Sequence, residues 1–397
     1  MSYLGRLSHF PDRPPKMIHW KTPLTAIALA VALTACAPAN VSKNAEPSTE
    51  APVAARVMRE TVAQGLYELA YSPTRNAVFV ASSGGFGPTA QPAKVLRLNA
   101  QTLKIEGEIP LARKGFGVAL DDAAGRLYIG NTVDTSVTVI DLNTNQVIGI
   151  VQLEQKARMP DGKERYMHDL RELVVDSANE RLFVTGHSEQ GSVMFVVNTR
   201  TLTMDKMIEG LGNAKAPGLA LDAANNRLFS TNLLGELITI DTRSLTIAKR
   251  VKTGIEQPMN LVLDSASNRL FVTDQGAANI RGYQEKSIPG FKSTNAGSRV
   301  VVLDATTGQQ VAEMPAAGGP IGIVLDQRRQ RVFVANRGAG TVQAFDSRTF
   351  QPLQNISVPT HPNSLALDEK NNVVFVTTKI GQNEEKGSPD SVARLRF

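Results

Sequence analysis

The stretch RYMHDLRE, residues 165–172, sets an imidazole (His168), two carboxylates (Asp169 and Glu172) and a guanidinium (Arg171) within five residues. A guanidinium fork grips a carboxylate or phosphate through paired N–H donors, while a carboxylate can meet an amine, hold a cation or pass a proton. The rest of the chain offers few partners for a metal. Beyond residue 36 the only histidines are His168, His187 and His361, and the single cysteine is Cys36. Ligation by all three imidazoles would draw on distant positions, so loop hydrogen bonding is the expected role for each. No Walker-type phosphate loop, G-x-S-x-G elbow or C-x-x-C-H haem motif occurs, and no cofactor is expected.

The elements that must position these groups are repeated. NRLFVTD at Asn268 has relatives in ERLFVTG at Glu180, NRLFSTN at Asn226, QRVFVAN at Gln330 and NVVFVTT at Asn372. Aligned on the aromatic residue, seven copies fall at Phe79, Tyr128, Phe183, Phe229, Phe271, Phe333 and Phe375, at intervals of 49, 55, 46, 42, 62 and 42 residues. A base unit of about 42 residues matches the four-stranded blade of a β-propeller, with insertions in the longer gaps. Seven positions before the aromatic stand Asp121, Asp176, Asp222, Asp264, Asp326 and Asp368, with Ser72 in the first copy. Each unit reads as four strands, GLALD, RLFVT, ELITID and a polar outer segment such as TIAKRVK. The second strand is apolar on both faces, as a blade packed between two others requires. The chain ends on a third strand, so Arg56–Val62, RVMRETV, is expected to supply the missing fourth strand and close the ring. The fold expected is all-β, a seven-bladed propeller of four-stranded antiparallel blades over residues 56–397.

Departures from the repeat mark the candidate site. Eleven positions before the aromatic, Gly117, Gly218 and Gly322 suit crowding around a central axis, whereas the other copies carry Glu68, Glu172, Asn260 and Ser364. One position earlier stand Tyr67, Phe116, Arg171, Met259 and Asn363. Together with His168 and His361, these residues are expected at one mouth of the channel, either binding a ligand or capping the channel with ion pairs. Two insertions, EQKARMPDGKERYMHD at residues 154–169 and IRGYQEKSIPGFKSTNAGSR at residues 280–299, mix basic side chains with aromatics. Lys163, Arg165 and Tyr166 in the first, and Arg281, Tyr283, Lys286, Phe291 and Lys292 in the second, have the composition of a phosphate-tracking surface with stacking positions, or of solvated loops. A third excursion, Ser82–Lys94 around Phe86, reads as a shaped turn.

The N-terminal segment Met17–Cys36 has a basic start, an apolar stretch and the ending Leu33-Thr34-Ala35-Cys36, which resembles a bacterial lipobox. Residues 1–36 are therefore expected to be a signal peptide, with Met17 an alternative start and Cys36 lipidated. The Ala/Pro/Ser-rich residues 37–55 are expected to form a flexible tether. That organisation implies an exported lipoprotein, on the periplasmic side of the outer membrane or at the cell surface. The formal charge of +6 falls to +3 once residues 1–36 are removed, leaving 39 basic against 36 acidic side chains. A large basic surface for nucleic acid is thus weakly supported.

The strings GNTVDTSVTVID at Gly130, GELITIDT at Gly235, PTHPNSLALD at Pro359, YELAYS at Tyr67 and RELVVD at Arg171 resemble the exported YncE-type proteins of the YVTN β-propeller family. The resemblance spans roughly Arg56 to Phe397 and implies a seven-bladed envelope propeller. It also implies binding to single-stranded DNA, although the lipobox and tether depart from those relatives. The leading expectation is a non-enzymatic, monomeric binding or scaffold module that presents its channel mouth and loops to a protein, a glycan or a small anionic ligand. The enzymatic alternative is a lactonase-type hydrolase with Glu68, Glu172 and Asn260 around a divalent cation. The only tryptophan, Trp20, lies in the leader, which argues against quinone-dependent dehydrogenase propellers with their Trp-bearing blades.

Overall fold

The repeated aromatic is the anchor of each blade. All seven copies are at most 1% exposed, each in the second strand of a four-stranded antiparallel sheet. The computed structural model describes residues 56–159, 161–215, 218–381 and 383–397. The signal-peptide, Cys36 and tether assignments lie outside the described residues. The seven innermost strands are Leu66–Ser72, Gly117–Asp121, Asp169–Asp176, Leu219–Asp222, Pro258–Asp264, Pro320–Asp326 and His361–Asp368. Each contacts its neighbours all the way round, the last meeting the first. As expected, Arg56–Ala63 pairs antiparallel with Asp390–Arg396, so the N-terminal strand completes the seventh blade.

The other sequence landmarks are turn chemistry. Asp121, Asp176, Asp326 and Asp368 each accept the backbone N–H three residues on, at 2.9–3.3 Å, in the turn between first and second strands. Ser72 does the same for Arg75 at 3.1 Å, so the hydroxyl substitutes for the carboxylate. The residue that opens each quoted string (Glu180, Asn226, Asn268, Gln330, Asn372) has φ of 52–55°. The first copy matches with Asn76 at 49°, and in the second copy Gly125 takes this left-handed place. At the end of the third strand, Asn99, Asp141, Asn198, Asp241, Asp304 and Asp346 each accept two successive backbone N–H groups. The seventh blade has no turn from third to fourth strand, because its fourth strand is Arg56–Ala63.

Crowding at the axis is resolved in two ways. In the second, fourth and sixth blades, glycine lets the next blade approach. A Cβ on Gly117 would sit 2.7 Å from the Arg171 carbonyl oxygen, and one on Gly322 would sit 2.5 Å from that of Asn363. The approach at Gly218 is looser toward the Met259 carbonyl, at 3.4 Å, but Thr231 Oγ1 would lie at 2.7 Å. In the sixth blade the register also slips, between Pro320 and Gly322, and in the first, third, fifth and seventh blades, which lack the glycine, it slips between Leu66 and Leu69, Leu170 and Leu173, Pro258 and Leu261, and Pro362 and Leu365. In these four blades the residues left out of the ladder are Tyr67-Glu68, Arg171-Glu172, Met259-Asn260 and Asn363-Ser364. A bulge re-aims the side chains it carries. Threonines from the second strand close three of these bulges, with Thr185, Thr273 and Thr377 Oγ1 accepting the N–H of Glu172, Asn260 and Ser364 at 3.0–3.1 Å.

The two ends of the ring differ. At one end every connection from first to second strand has four residues, and those from third to fourth strand have four or five. At the other end lie the long segments between Ser82 and Lys94, Gln152 and Asp169, Asp274 and Arg299, and Lys379 and Asp390. The antiparallel order of the strands dictates this, since all four segments join a second strand to a third or an outer strand to an inner one. We call these the plain end and the elaborated mouth.

The close approach at the axis makes its glycines intolerant. Gly322→Ala is expected to destabilise the protein by about 1–3 kcal/mol, the usual cost of forcing atoms into a packed site. Gly254→Ala, where a Cβ would meet nothing within 4 Å, should stay within about 0.5 kcal/mol of the parent. Urea unfolding of the two variants checks this, and equal stabilities would contradict it.

Candidate functional site

The four bulges bring most of the sequence-chosen residues to the elaborated mouth. Glu68, in the first blade, accepts the Val118 N–H at 2.8 Å through Oε2. Its carboxyl neighbours that of Glu172 in the third blade. Arg171 lies 3.4 Å from Glu172 Oε1 and donates to Asn260 Oδ1 of the fifth blade at 3.4 Å. Glu172 Oε1 has no hydrogen-bond partner among the described residues. Burial, and then the proximity of Glu172, hold Glu68 well above the usual carboxylate range, and burial also raises Glu172. The pair therefore retains a proton where a lone carboxyl would have lost it.

On the opposite side, between the sixth, seventh and first blades, lies a second cluster. Arg337 donates to Asn363 Oδ1 at 2.7 Å, and His361 Nδ1 lies 3.1 Å from the Arg337 carbonyl. Lys379 pairs with Asp390 at 3.1 Å and stands 3.9 Å above the Tyr67 ring. Tyr67 packs edge-on against Phe116, with ring centroids 4.5 Å apart, and Phe116 stacks on Phe86 at 6.2 Å. Lys114 crosses Phe86 at 5.0 Å, while its ammonium bonds to the Ser83 and Gly85 carbonyls. Burial lowers the pKa values of Lys379, Arg337 and Lys114 and raises that of Tyr67. The Phe86 loop, read as a shaped turn, thus also contributes an aromatic wall.

Other candidates serve the architecture. His168 is 8% exposed and held between the Glu154 carboxylate and the Gly191 carbonyl, the latter 3.0 Å from Nε2. It fastens the first insertion, as the loop hydrogen-bonding expectation had it. Met259 is buried. His187 lies at the mouth, where burial, helped by Lys215, Arg171 and His168, pushes its imidazole down to about 3. The three histidines do not converge, and among the described residues no group of three or more His, Cys, Asp or Glu side chains is placed to hold a metal ion.

The insertions flank the mouth without forming one basic track. The first is a short hairpin, Ala157–Arg158 against Glu164–Arg165; Lys163 is exposed, Arg165 is paired with Asp161, and Tyr166 lies 5.5 Å below Lys156. The second contains a helix, Ala278–Ser287, that the sequence reading did not anticipate. Its Gln284 is fully buried, donating to the Glu256 and Leu233 carbonyls at 2.6 and 3.1 Å. Arg281 bonds the Asn295 carbonyl, Tyr283 lies under Lys215 at 5.4 Å, Lys286 and Lys292 are exposed, and Phe291 is half-buried.

Arg337, Lys379 and Asp390 were missed in the sequence. Arg337 and Lys379 each stand four positions after the repeated aromatic, a column that also contains His187. Two cavities lie away from these clusters. One of ≈420 Å³ lies beside Gln64 and Lys94, and one of ≈610 Å³ at the plain end is lined largely by Leu219, Leu221, Leu261, Leu263, Leu325 and Leu367.

No family model matches the chain. It is 33% identical over 345 residues to the "Uncharacterized protein YncE" of Salmonella typhimurium, covering 85% of this chain and 90% of that protein. The Escherichia coli protein of the same name is also 33% identical, over 354 residues, covering 88% of this chain and 92% of its own length. Among solved structures, a chain of Kuenenia stuttgartiensis hydrazine synthase superposes with a TM-score of 0.65 at 16% identity, covering 85% of this chain and 97% of that one. At that identity the likeness is one of fold alone.

The shared proton gives the site a pH signature. An acid whose folded pKa stands above its ordinary value of 4.5 costs nothing below that pH, and destabilises the fold increasingly as pH rises through the folded pKa. Glu68→Gln keeps an acceptor for Val118 and removes the repulsion. It should therefore stabilise the protein at pH 7.5 by about 1 kcal/mol or more, one pKa unit being worth about 1.4 kcal/mol. The advantage should vanish below about pH 4.5. Urea unfolding of both proteins across pH measures this, and identical profiles would contradict the shared proton.

Proposed function

The chain belongs to the YncE-like β-propeller family, and from that premise we propose that it is a non-enzymatic binding module whose elaborated mouth receives a small anionic ligand or an anionic group of a partner. The observation that carries this reading is the one-sided build of the ring. The long segments named above, the axial bulges that carry Glu68, Glu172, Asn260 and Asn363, and the half-buried Arg171, Arg337 and Lys379 lie at one end. Charged groups held in a partly desolvated mouth interact with a ligand more strongly than they would in bulk water. The plain end carries uniform turns of the kind that shape requires.

The lipid anchor on Cys36 and an envelope location complete the proposal. Arg56, where the outer strand of the seventh blade begins, is at the plain end, because that strand runs toward the elaborated mouth. The mouth variant Arg171→Ala/Glu172→Ala is expected to lose at least tenfold of the material that the full chain retains from an envelope extract, with circular dichroism showing the fold intact. Undiminished retention would remove the mouth from the mechanism.

Single-stranded DNA is a second reading, favoured by the Tyr67–Phe116–Phe86 row with Lys114 beside it, since bases stack on aromatic faces next to cations. An oligonucleotide held this way would lose affinity steeply between 50 and 200 mM salt, by about an order of magnitude or more for even a few phosphate contacts. Fluorescence anisotropy at both salt concentrations measures it, and absent or salt-independent binding excludes this reading.

A further inference from the structure

Several half-buried arginines of the fold have an acid: Arg75, Arg227, Arg299 and Arg329 lie 2.6–3.4 Å from Asp122, Asp222, Asp274 and Asp326. Others, such as Arg126, Arg181 and Arg394, are bonded to backbone carbonyls of neighbouring blades. Arg337, at the elaborated mouth, has neither, because the side-chain hydrogen bond it makes among the described residues goes to the neutral Asn363 Oδ1. A guanidinium has five N–H donors in a planar fork, and withdrawing it from water without a counter-charge is unfavourable. The neighbouring Lys379 does not share the deficit. Its charge is met by Asp390, which is 4% exposed and also accepts the Leu66 and Ile380 N–H groups at 2.8 and 2.9 Å.

Arg337 therefore brings one unspent positive charge to the elaborated mouth, near a row of aromatic rings. Tyr67 lies between the Lys379 ammonium and the Phe116 ring, and Phe86 extends the aromatic face beyond it. We propose that Arg337 anchors a carboxylate subsite at the elaborated mouth, and that its ligand is a small monocarboxylate with a flat, apolar body lying along Tyr67, Phe116 and Phe86. The proposal deepens the binding-module reading and rests on it.

Two features select this class. A carboxylate matches the fork with two parallel N–H···O bonds, and its single charge equals the one left open. A phosphate dianion would bring a second charge for which the nearest cation, Lys379, is already taken. The aromatic row favours a planar hydrophobic body over a polar one, since ring pairs of this geometry contribute beyond the area they bury. Burial already presses the Arg337 pKa below its ordinary value, a strain that a bound anion would relieve.

Calorimetric titration of the full chain tests this with benzoate, benzamide, N-acetylphenylalanine and inorganic phosphate as probes. Benzoate should bind, with benzamide and phosphate at least tenfold weaker. N-acetylphenylalanine binding more tightly than benzoate would identify the carboxylate as a peptide C-terminus; weaker binding would identify a free small acid. Arg337→Gln should lose at least tenfold of the benzoate affinity, and Arg337→Lys should retain part of it, serving also if the glutamine variant fails to fold. Failure of benzoate to bind, equal binding of benzamide, or an Arg337→Gln protein that binds normally would each overturn the subsite. If the subsite fails while retention from envelope extract still depends on Arg171 and Glu172, the broader reading survives. If both fail, it falls with it.

Discussion

Seven strands meeting around one axis is the constraint from which the rest of this structure follows. Backbone must pass close to backbone there, and the chain solves the problem in two ways. Glycine in three blades admits the neighbouring blade, and in the other four a one-residue register slip, which leaves two residues out of the ladder, turns the strand aside. The slip has a chemical consequence. Residues excluded from the ladder are released from the strict in-and-out alternation of a strand. Glu68, Arg171, Glu172, Asn260 and Asn363 reach the mouth because the packing problem was solved with bulges in their blades.

The same geometry explains why chemistry accumulates at one end. The four-residue turns from first to second strand are fixed by an acid or hydroxyl acceptor and a left-handed residue, and leave little room for variation. Insertions are tolerated at the opposite end, where connections pass between blades or leave a second strand. Carboxyls and cations gathered there are held apart in two clusters, the Glu68–Glu172 pair with Arg171 on one side and Arg337 with Lys379 on the other. Partial withdrawal from water shifts Glu68, Glu172, Arg337 and Lys379 toward their neutral forms.

The fold was legible because its determinants are local and recur. Phe271 and its counterparts, the acid seven residues before them and the third-strand Asp or Asn each carry out one task seven or six times over. The glycine column was legible for the same reason, and reading its exceptions led to the bulged residues. What escaped was non-repetitive. The helix Ala278–Ser287 has a glycine at its centre, no side-chain N-cap and no clear apolar stripe; it is held by Gln284, whose partners lie in distant segments. Arg337 and Lys379 occur once each, and their burial depends on blades far apart in sequence. His168, conspicuous beside Arg171 in the sequence, is occupied by Glu154 and Gly191 across its own insertion.

We propose that the elaborated mouth, and not the plain end, is the surface through which this propeller acts. Site-specific photocrosslinking in cells tests it most directly, with a photoreactive residue in place of Phe86 at the mouth and, separately, of Ala224 in a plain-end turn. The account predicts discrete adducts from position 86 that fade when Arg171 and Glu172 are replaced, and none from position 224. Adducts from position 224 alone, or equally from both, would contradict it.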